Sequence, residues 1–285
     1  MAEYNEIRFG DKIIYRMAVG DKPVLWADFG ESILAPAVQT FVAAAGITDP
    51  IQTAALNTLY NSLNADGIIS KLYALYPFVG GNSTAHSYNL IDTTQYQISF
   101  FGSWTHNSNG ITGDGSTTYA NTFFIPAISP PVGFVASGTM GVYSRSSGQD
   151  KYDMGCFIVG NKQTALITRY EGALPGSSLM LSWPVNASVT QTDGSGLFVG
   201  NTNSSDTSTQ GIWKNGSQIA TILTTGINAN STRTLYIGGV NASGFTERTS
   251  RNYALALIGQ GLTAAQQVSL YNAVQAYQTT LGREV

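Results

Sequence analysis

Trp104 and His106 stand two residues apart in a β-prone run, 98–106, and on an extended strand positions i and i+2 project to the same side. An indole beside an imidazole suits sugar recognition: the flat ring stacks on the apolar face of a pyranose while the polar neighbour takes a hydroxyl. Trp213 with Asn215, and Tyr143 with Arg145, repeat the pairing of an aromatic with a polar partner two positions on. Each pair also has a plainer reading. Aromatics on the strands of a sandwich usually fill its core, and His106 reads equally well as a hydrogen bonder at a loop edge.

Cutting a glycosidic bond asks for more, namely two carboxylates on either side of it, one of them kept protonated. The chain from residue 77 onward offers Asp92, Asp114, Asp150, Asp153, Glu171, Asp193, Asp206, Glu247 and Glu284, and every Glu stands alone. Asp150 and Asp153, beside Gly148 and Lys151, read as a solvated turn. Neither His86 nor His106 follows a nucleophile-elbow pattern, so Ser-His-Asp chemistry has no support. The two histidines and Cys156 fit no zinc spacing, and Asp114 and Asp193 in Gly-rich turns read as turn formers rather than calcium ligands. Cys156, beside an apolar run, reads as a small buried hydrophobe. The expectation is no catalytic residue, no metal and no cofactor.

The composition fits a chain that touches rather than cuts. Of 285 residues only 11% are charged, 31 are Gly, and Ser, Thr and Asn make up roughly a quarter. Polarity is therefore carried by hydroxyls and amides, which suits short strands and many turns and argues against a helical bundle. The net charge is −3 and the pI about 5.3. Basic residues are scattered singly, so neither nucleic acid nor an anionic membrane surface is an expected partner. No stretch reaches the ~18 apolar residues of a membrane span, and no signal peptide is evident.

Three unequal parts follow. Residues 1–30 read as a strand arm, because Gly10-Asp11-Lys12 and Gly20-Asp21-Lys22 each open a short β-prone run. Such an arm is marginal alone and must lie on another surface, with Ile13, Tyr15, Val24 and Trp26 its anchoring candidates. Residues 31–76 read as a helical linker pair. Asp49-Pro50 caps a helix carrying Ile51, Ala54, Ala55, Leu59 and Leu63 on one stripe, Asn64-Ala65-Asp66-Gly67 breaks it, and Ile68, Ile69, Leu72 and Leu75 make a second helix. Residues 77–285 are strand-rich, with Asn215-Gly216 as the sharpest hairpin signal. There the sequence predicts an antiparallel two-sheet sandwich. The run 253–259 is apolar on both faces and so central. Thr263-x-x-Gln266 opens a closing helix, and Gly282 ends it.

Leu235-Tyr236-Ile237-Gly238-Gly239, the strand 253–259, Gly261-Leu262-Thr263-Ala264-Ala265-Gln266 and Leu270-Tyr271 resemble the closing strands and helix of laminin-G/concanavalin A-like jelly rolls. Trp213-Lys214-Asn215-Gly216 resembles their recurring hairpin. Leu75-Tyr76-Pro77-Phe78-Val79-Gly80-Gly81, Asn89-Leu90, 100–106 and Asn121-Thr122 resemble such domains in bacteriophage virion proteins, and 19–26 resembles strand elements of phage appendage proteins. The resemblance implies a mainly β jelly roll with an N-terminal β-hairpin arm. It further implies a virion fibre, tail or head-decoration part, made in the host cytoplasm and displayed on the particle surface. Its expected partners are other virion proteins through the arm, further copies of itself with a trimer favoured, and a host-surface glycan. A glycosidase of the same fold and a cellular carbohydrate-binding module are the alternatives.

Overall fold

The computed structural model describes residues 4–9, 12–19, 22–27, 34–129, 134, 137–158, 162–172, 176–182, 185–203, 209–223, 231–242 and 247–285. Strands β1 (Tyr4–Phe9), β2 (Lys12–Val19) and β3 (Lys22–Ala27) form an antiparallel three-stranded sheet with β2 in the middle, one strand more than a hairpin. The side chains of Ile13, Tyr15, Val24 and Trp26 lie outside the described residues.

Helices α1 (Pro36–Ala45) and α2 (Pro50–Ala65) follow, then strand β4 (Leu72–Tyr76) and the single turn α3 (Ser83–Ser87). Next come β5 (Ser99–Phe101), β6 (Thr105–Asn107), β7 (Gly110–Thr112), β8 (Tyr119–Asn121), β9 (Gly138–Ser144), β10 (Met154–Ile158) and β11 (Lys162–Ile167). The chain continues through β12 (Ser177–Ser182), β13 (Val185–Thr190), β14 (Gly196–Asn203), β15 (Thr209–Lys214), β16 (Ser217–Leu223), β17 (Tyr236–Ile237), β18 (Val240–Asn241) and β19 (Asn252–Gly259). Helix α4 (Ala264–Thr280) closes the order.

The expected two-sheet sandwich is present. One sheet runs β16-β15-β14-β9-β19-β7-β6 with β4 also on β19; the other runs β13-β12-β11-β10-β17-β8-β5 with β18 parallel to β10. Between them lies a core of Tyr76, Met140, Val142, Met154, Leu166 and Phe198, among others. The first sheet is covered on its far side as well. There α1, α2 and α4 bring Phe41, Leu59, Leu63, Leu270 and Val274 onto Leu255 and Leu257. This explains the unbroken apolarity of β19: Ala256 and Ile258 enter one core, Leu255 and Leu257 the other.

The region read as a linker is thus a third layer. Asp49 caps α2 by accepting from the Ile51 N–H at 2.8 Å, with Pro50 in the first turn. The buried stripe is Ala55, Leu56, Leu59 and Leu63, while Ile51 is 59% exposed. The second expected helix, 68–75, is instead a 3-10 turn (Ile69–Lys71) leading into β4, which pairs with Ala256–Gly259. Its apolar spacing fits either element. Pairing decides, because Ala74 and Tyr76 fill the inter-sheet core while Leu75 packs towards the helices. The true helical pair is α1 with α2.

Other local expectations hold. Asn215 (φ 50) and Gly216 (φ 75) form the turn between β15 and β16, and positive φ at both central positions is the type I′ geometry that suits the strands' twist. Thr263 and Gln266 exchange both capping-box hydrogen bonds, and Gln266 Oε1 also accepts from Lys71 Nζ at 2.8 Å.

One packing feature carries a pH prediction. His86, 1% exposed, faces His106 with their Nδ1 atoms 3.0 Å apart, joining α3 to the β6–β7 hairpin. Burial first, then the His106 and Arg283 charges, lower the His86 pKa to about 3, and burial lowers that of His106. A depressed folded-state pKa means that the unfolded chain binds the extra proton. His86 therefore contributes stability that is complete above pH 6.5 and is lost as pH falls towards 3. Between pH 6.5 and pH 5 this one group should remove about 2 kcal/mol. Urea titrations at both pH values check this, and His86→Gln should flatten the difference.

Candidate functional site

The six residues singled out as sugar contacts are all taken up by packing. Trp104 and His106 do share a face, since both meet Phe100 edge-on at 5.9 and 4.6 Å between ring centroids. That face turns into the molecule: Trp104 packs on the inter-sheet core, its Nε1 is buried with no hydrogen-bond partner among the described residues, and His106 is engaged by His86. Tyr143 is fully buried, and its hydroxyl accepts from the Val285 N–H at 3.0 Å and donates to Gln275 Oε1 at 3.1 Å. It has no face left for a sugar, which corrects its reading as a platform. Arg145 Nε donates to the Arg283 carbonyl at 2.9 Å, so Tyr143 and Arg145 both serve the C-terminal segment. Trp213 packs under the helical layer, and Asn215 Oδ1 accepts from the Leu197 N–H at 2.9 Å.

Asp150 and Asp153 need a larger correction. Asp153 is completely buried. It accepts from the Tyr253 hydroxyl at 2.6 Å and the Thr168 N–H at 2.6 Å, and its Oδ1 lies 3.1 Å from Nε of Arg251, itself 1% exposed. The Nε contact is an ion pair by distance, without the angle of a hydrogen bond. Burial raises the Asp153 pKa, opposed by the Arg251 charge and these hydrogen bonds. Asp150 accepts from the Ser250 N–H and hydroxyl at 2.9 and 2.8 Å. Both acids are structural, placed where Lys151 and Gly148 gave no hint of burial.

Asp114 closes its turn by accepting from Ser116, Thr117 and Thr118, which hold its carboxyl well below the usual range, the Thr117 hydroxyl foremost. Asp193 does the same with Ser195 and adds Lys214 at 3.4 Å. Among the described residues no three His, Cys, Asp or Glu side chains converge as metal ligands. Cys156 is fully buried, and burial pushes its thiol up to about 12, which makes it inert.

What remains is the outer face of the sheet that the helices leave uncovered. Strand alternation puts Met154, Cys156, Leu166, Ala120 and Ile237 inside, and Phe157, Gln163, Ala165, Tyr119 and Tyr236 outside. At β10, β11 and β18 this face opens a cleft of about 370 Å³, lined by Tyr152, Cys156, Phe157, Gln163, Ala165 and Val240. The volume is at the low end of the ~300–1,000 Å³ usual for ligand pockets. Gly155 keeps the floor low, because a Cβ there would press on Ala165 and Val240. Tyr152 is held edge-on by Tyr170 at 5.9 Å, and burial lifts its hydroxyl to about 12, keeping it a neutral donor.

Two aromatic walls and one primary amide can hold a pyranose ring: stacking on one side, a donor and an acceptor for hydroxyls on the other. Glu171 and Glu247 both pair with Lys151, the neighbour of Tyr152, at 3.8 and 3.7 Å, and the Glu171 side chain is 46% exposed. Neither has the apolar seat that keeps a general acid protonated.

These residues escape a sequence reading because the alternation that places them is short and mixed. Met154 to Phe157 alternates a Met and a Cys inward against a Gly and a Phe outward, directly after the buried acid Asp153. The one usable signal was the aromatic next to an inward aliphatic residue, as in Tyr119-Ala120 and Tyr236-Ile237.

No protein-family model and no curated protein matches the chain. Among solved structures, domain 4 of AbnA, a GH43 extracellular arabinanase from Geobacillus stearothermophilus in complex with arabinotriose, is similar at 12% identity and a TM-score of 0.44. That match covers 70% of this chain and 98% of that one. The botulinum neurotoxin serotype D binding domain is similar at 9% identity and TM-score 0.47, covering 72% and 52%. A Trypanosoma rangeli sialidase mutant displaying trans-sialidase activity is similar at 11% identity and TM-score 0.47, covering 95% and 44%. The chain thus spans about half the length of the latter two structures. With TM-scores below 0.5, these likenesses carry no argument about function.

Proposed function

We propose that this chain is a non-catalytic surface component of a bacteriophage particle that holds a host glycan against the open face of its sandwich. The observation that carries the glycan reading is the cleft between Tyr152, Phe157 and Gln163 on the sheet face that α1, α2 and α4 leave bare. The nearby acids are tied to Lys151 rather than poised, which supports adhesion over hydrolysis. Support for the virion setting comes from the phage-like segments in 75–122 and 19–26, and the three-stranded N-terminal sheet is the proposed anchor to other virion proteins. Display in several copies, three being favoured, would raise a weak single-site affinity about 10²–10⁴-fold.

A glycan array with the full chain tests the reading. Binding without shortened products is the expected result, and Tyr152→Ala should weaken it about tenfold or more while leaving the melting temperature nearly unchanged. Release of oligosaccharides would favour the glycosidase instead. Particles built with a copy lacking residues 1–30 test the anchor: incorporation should fall, and undiminished incorporation would refute it.

A further inference from the structure

Beside the cleft, three neighbouring strands of the open sheet stack their outward rings into a column. Phe101 and Tyr119 lie 4.6 Å apart at 8°, and Tyr119 and Tyr236 lie 4.6 Å apart at 18°. Arg248 lies over this column, its guanidinium carbon 4.8 Å from the Tyr119 ring centre and 5.9 Å from that of Tyr236. Its Nη1 donates to the carbonyls of Val240 (3.0 Å) and Glu247 (3.3 Å), and Val240 is also a wall of the cleft. Arg248 is only 9% exposed.

A guanidinium so placed ordinarily has a carboxylate partner, since burying an uncompensated charge is costly. Arg248 has none within 4 Å among the described residues, because the adjacent Glu247 carboxylate turns to Lys151. Its Nε and Nη2 donate to no described residue. With Nη1 engaged, the Nε–Nη2 edge is the side of the fork that accepts a planar carboxylate through two parallel hydrogen bonds. Burial draws its pKa below the usual arginine value, opposed by Tyr236 and Tyr119, so the charge is held by two ring faces and two backbone carbonyls, with no carboxylate among the described residues. The nearest charges along the chain are already matched to one another: Glu247 and Glu171 share the Lys151 ammonium.

We infer that the glycan held by the open face is an acidic one, its sugar carboxylate seated on Arg248 beside Val240 and its neutral rings lying in the cleft. This rests on the glycan-binding reading above and adds the ligand's charge. Acidic sugars of the uronic and sialic type share this chemistry.

Calorimetry with the full chain separates the possibilities. The probes are an oligogalacturonide, a sialylated oligosaccharide, the carboxyl-reduced form of each, and a sulfated oligosaccharide. Carboxyl reduction should weaken binding at least about tenfold for whichever acidic probe binds, and raising salt from about 0.05 to about 0.5 M should erode the preference. Arg248→Gln should abolish the preference while sparing the weaker neutral binding, with Arg248→Lys between the two. The wild-type comparison stands even if a variant folds poorly. Equal binding of acidic and reduced probes, or a preference that survives Arg248→Gln, overturns the acidic assignment and leaves the glycan reading intact. Binding of the sulfated probe alone overturns the carboxylate. Binding of no saccharide, here and on the array, overturns both.

Discussion

Arg251→Met should cost about 3–5 kcal/mol of folding stability, the range for breaking one side of a buried ion pair. Its Nη1 donates to the Ser146 carbonyl at 2.8 Å, and Nη2 donates to those of Gly148 (2.8 Å) and Arg169 (2.9 Å), while Nε faces Asp153. One side chain therefore ties together the loop after β9, the end of β11 and the start of β19. Methionine fills much of the volume but leaves three carbonyls short of a donor and Asp153 buried without its counter-charge. In a domain of this size each kcal/mol shifts the melting temperature by roughly 2–4 °C, so a fall of about 10 °C is expected. Adding Asp153→Asn should recover part of the loss, because the stranded charge is then gone. A single-variant loss under about 1 kcal/mol in urea titration would contradict the network's assigned role.

Arg283→Leu should cost about 2–4 kcal/mol, and the loss should be focused on α4. Arg283 is 1% exposed, yet it forms no ion pair with an acid among the described residues. Its guanidinium donates to the carbonyls of Phe78 (2.8 Å), Pro77 (3.2 Å) and Ala254 (3.2 Å) and to Gln278 Oε1 (2.9 Å), and lies 5.3 Å from the Tyr277 ring. Phe78, the acceptor at 2.8 Å, takes positive φ (41°). Leucine supplies the apolar volume but none of the donors, and each orphaned carbonyl costs about 1 kcal/mol. Lysine should rescue little, since a single ammonium cannot span the positions that the planar fork reaches. Amide exchange should quicken in α4 before it does in β19, and uniform quickening would contradict a local role.

What could be read from residue order was the local chemistry. Asp49-Pro50, Thr263-x-x-Gln266 and Asn215-Gly216 state their own geometry, and each was found as expected. The central position of β19 was legible because apolar residues fill both of its faces. Long-range partnership was not. Asp153 and Arg251 are 98 positions apart along the chain, and nothing local marks them as a pair. The same limit misplaced 68–75, whose apolar spacing serves a helix and a doubly buried strand equally, with only the pairing to β19 deciding. Aromatic-plus-polar pairs drew attention to Trp104, Tyr143 and Trp213, and all three are packing residues. The cleft is formed by Tyr152, Gln163 and Val240, brought together from three segments by sheet register.

Hydrogen–deuterium exchange with and without an array-identified oligosaccharide tests the central claim most directly. Protection confined to β10, β11, β18 and the segment carrying Tyr152 is the predicted result, with α1, α2 and α4 unchanged. Protection on the helical layer, or around His86 and His106 with the cleft unaffected, would place the glycan elsewhere and contradict the account.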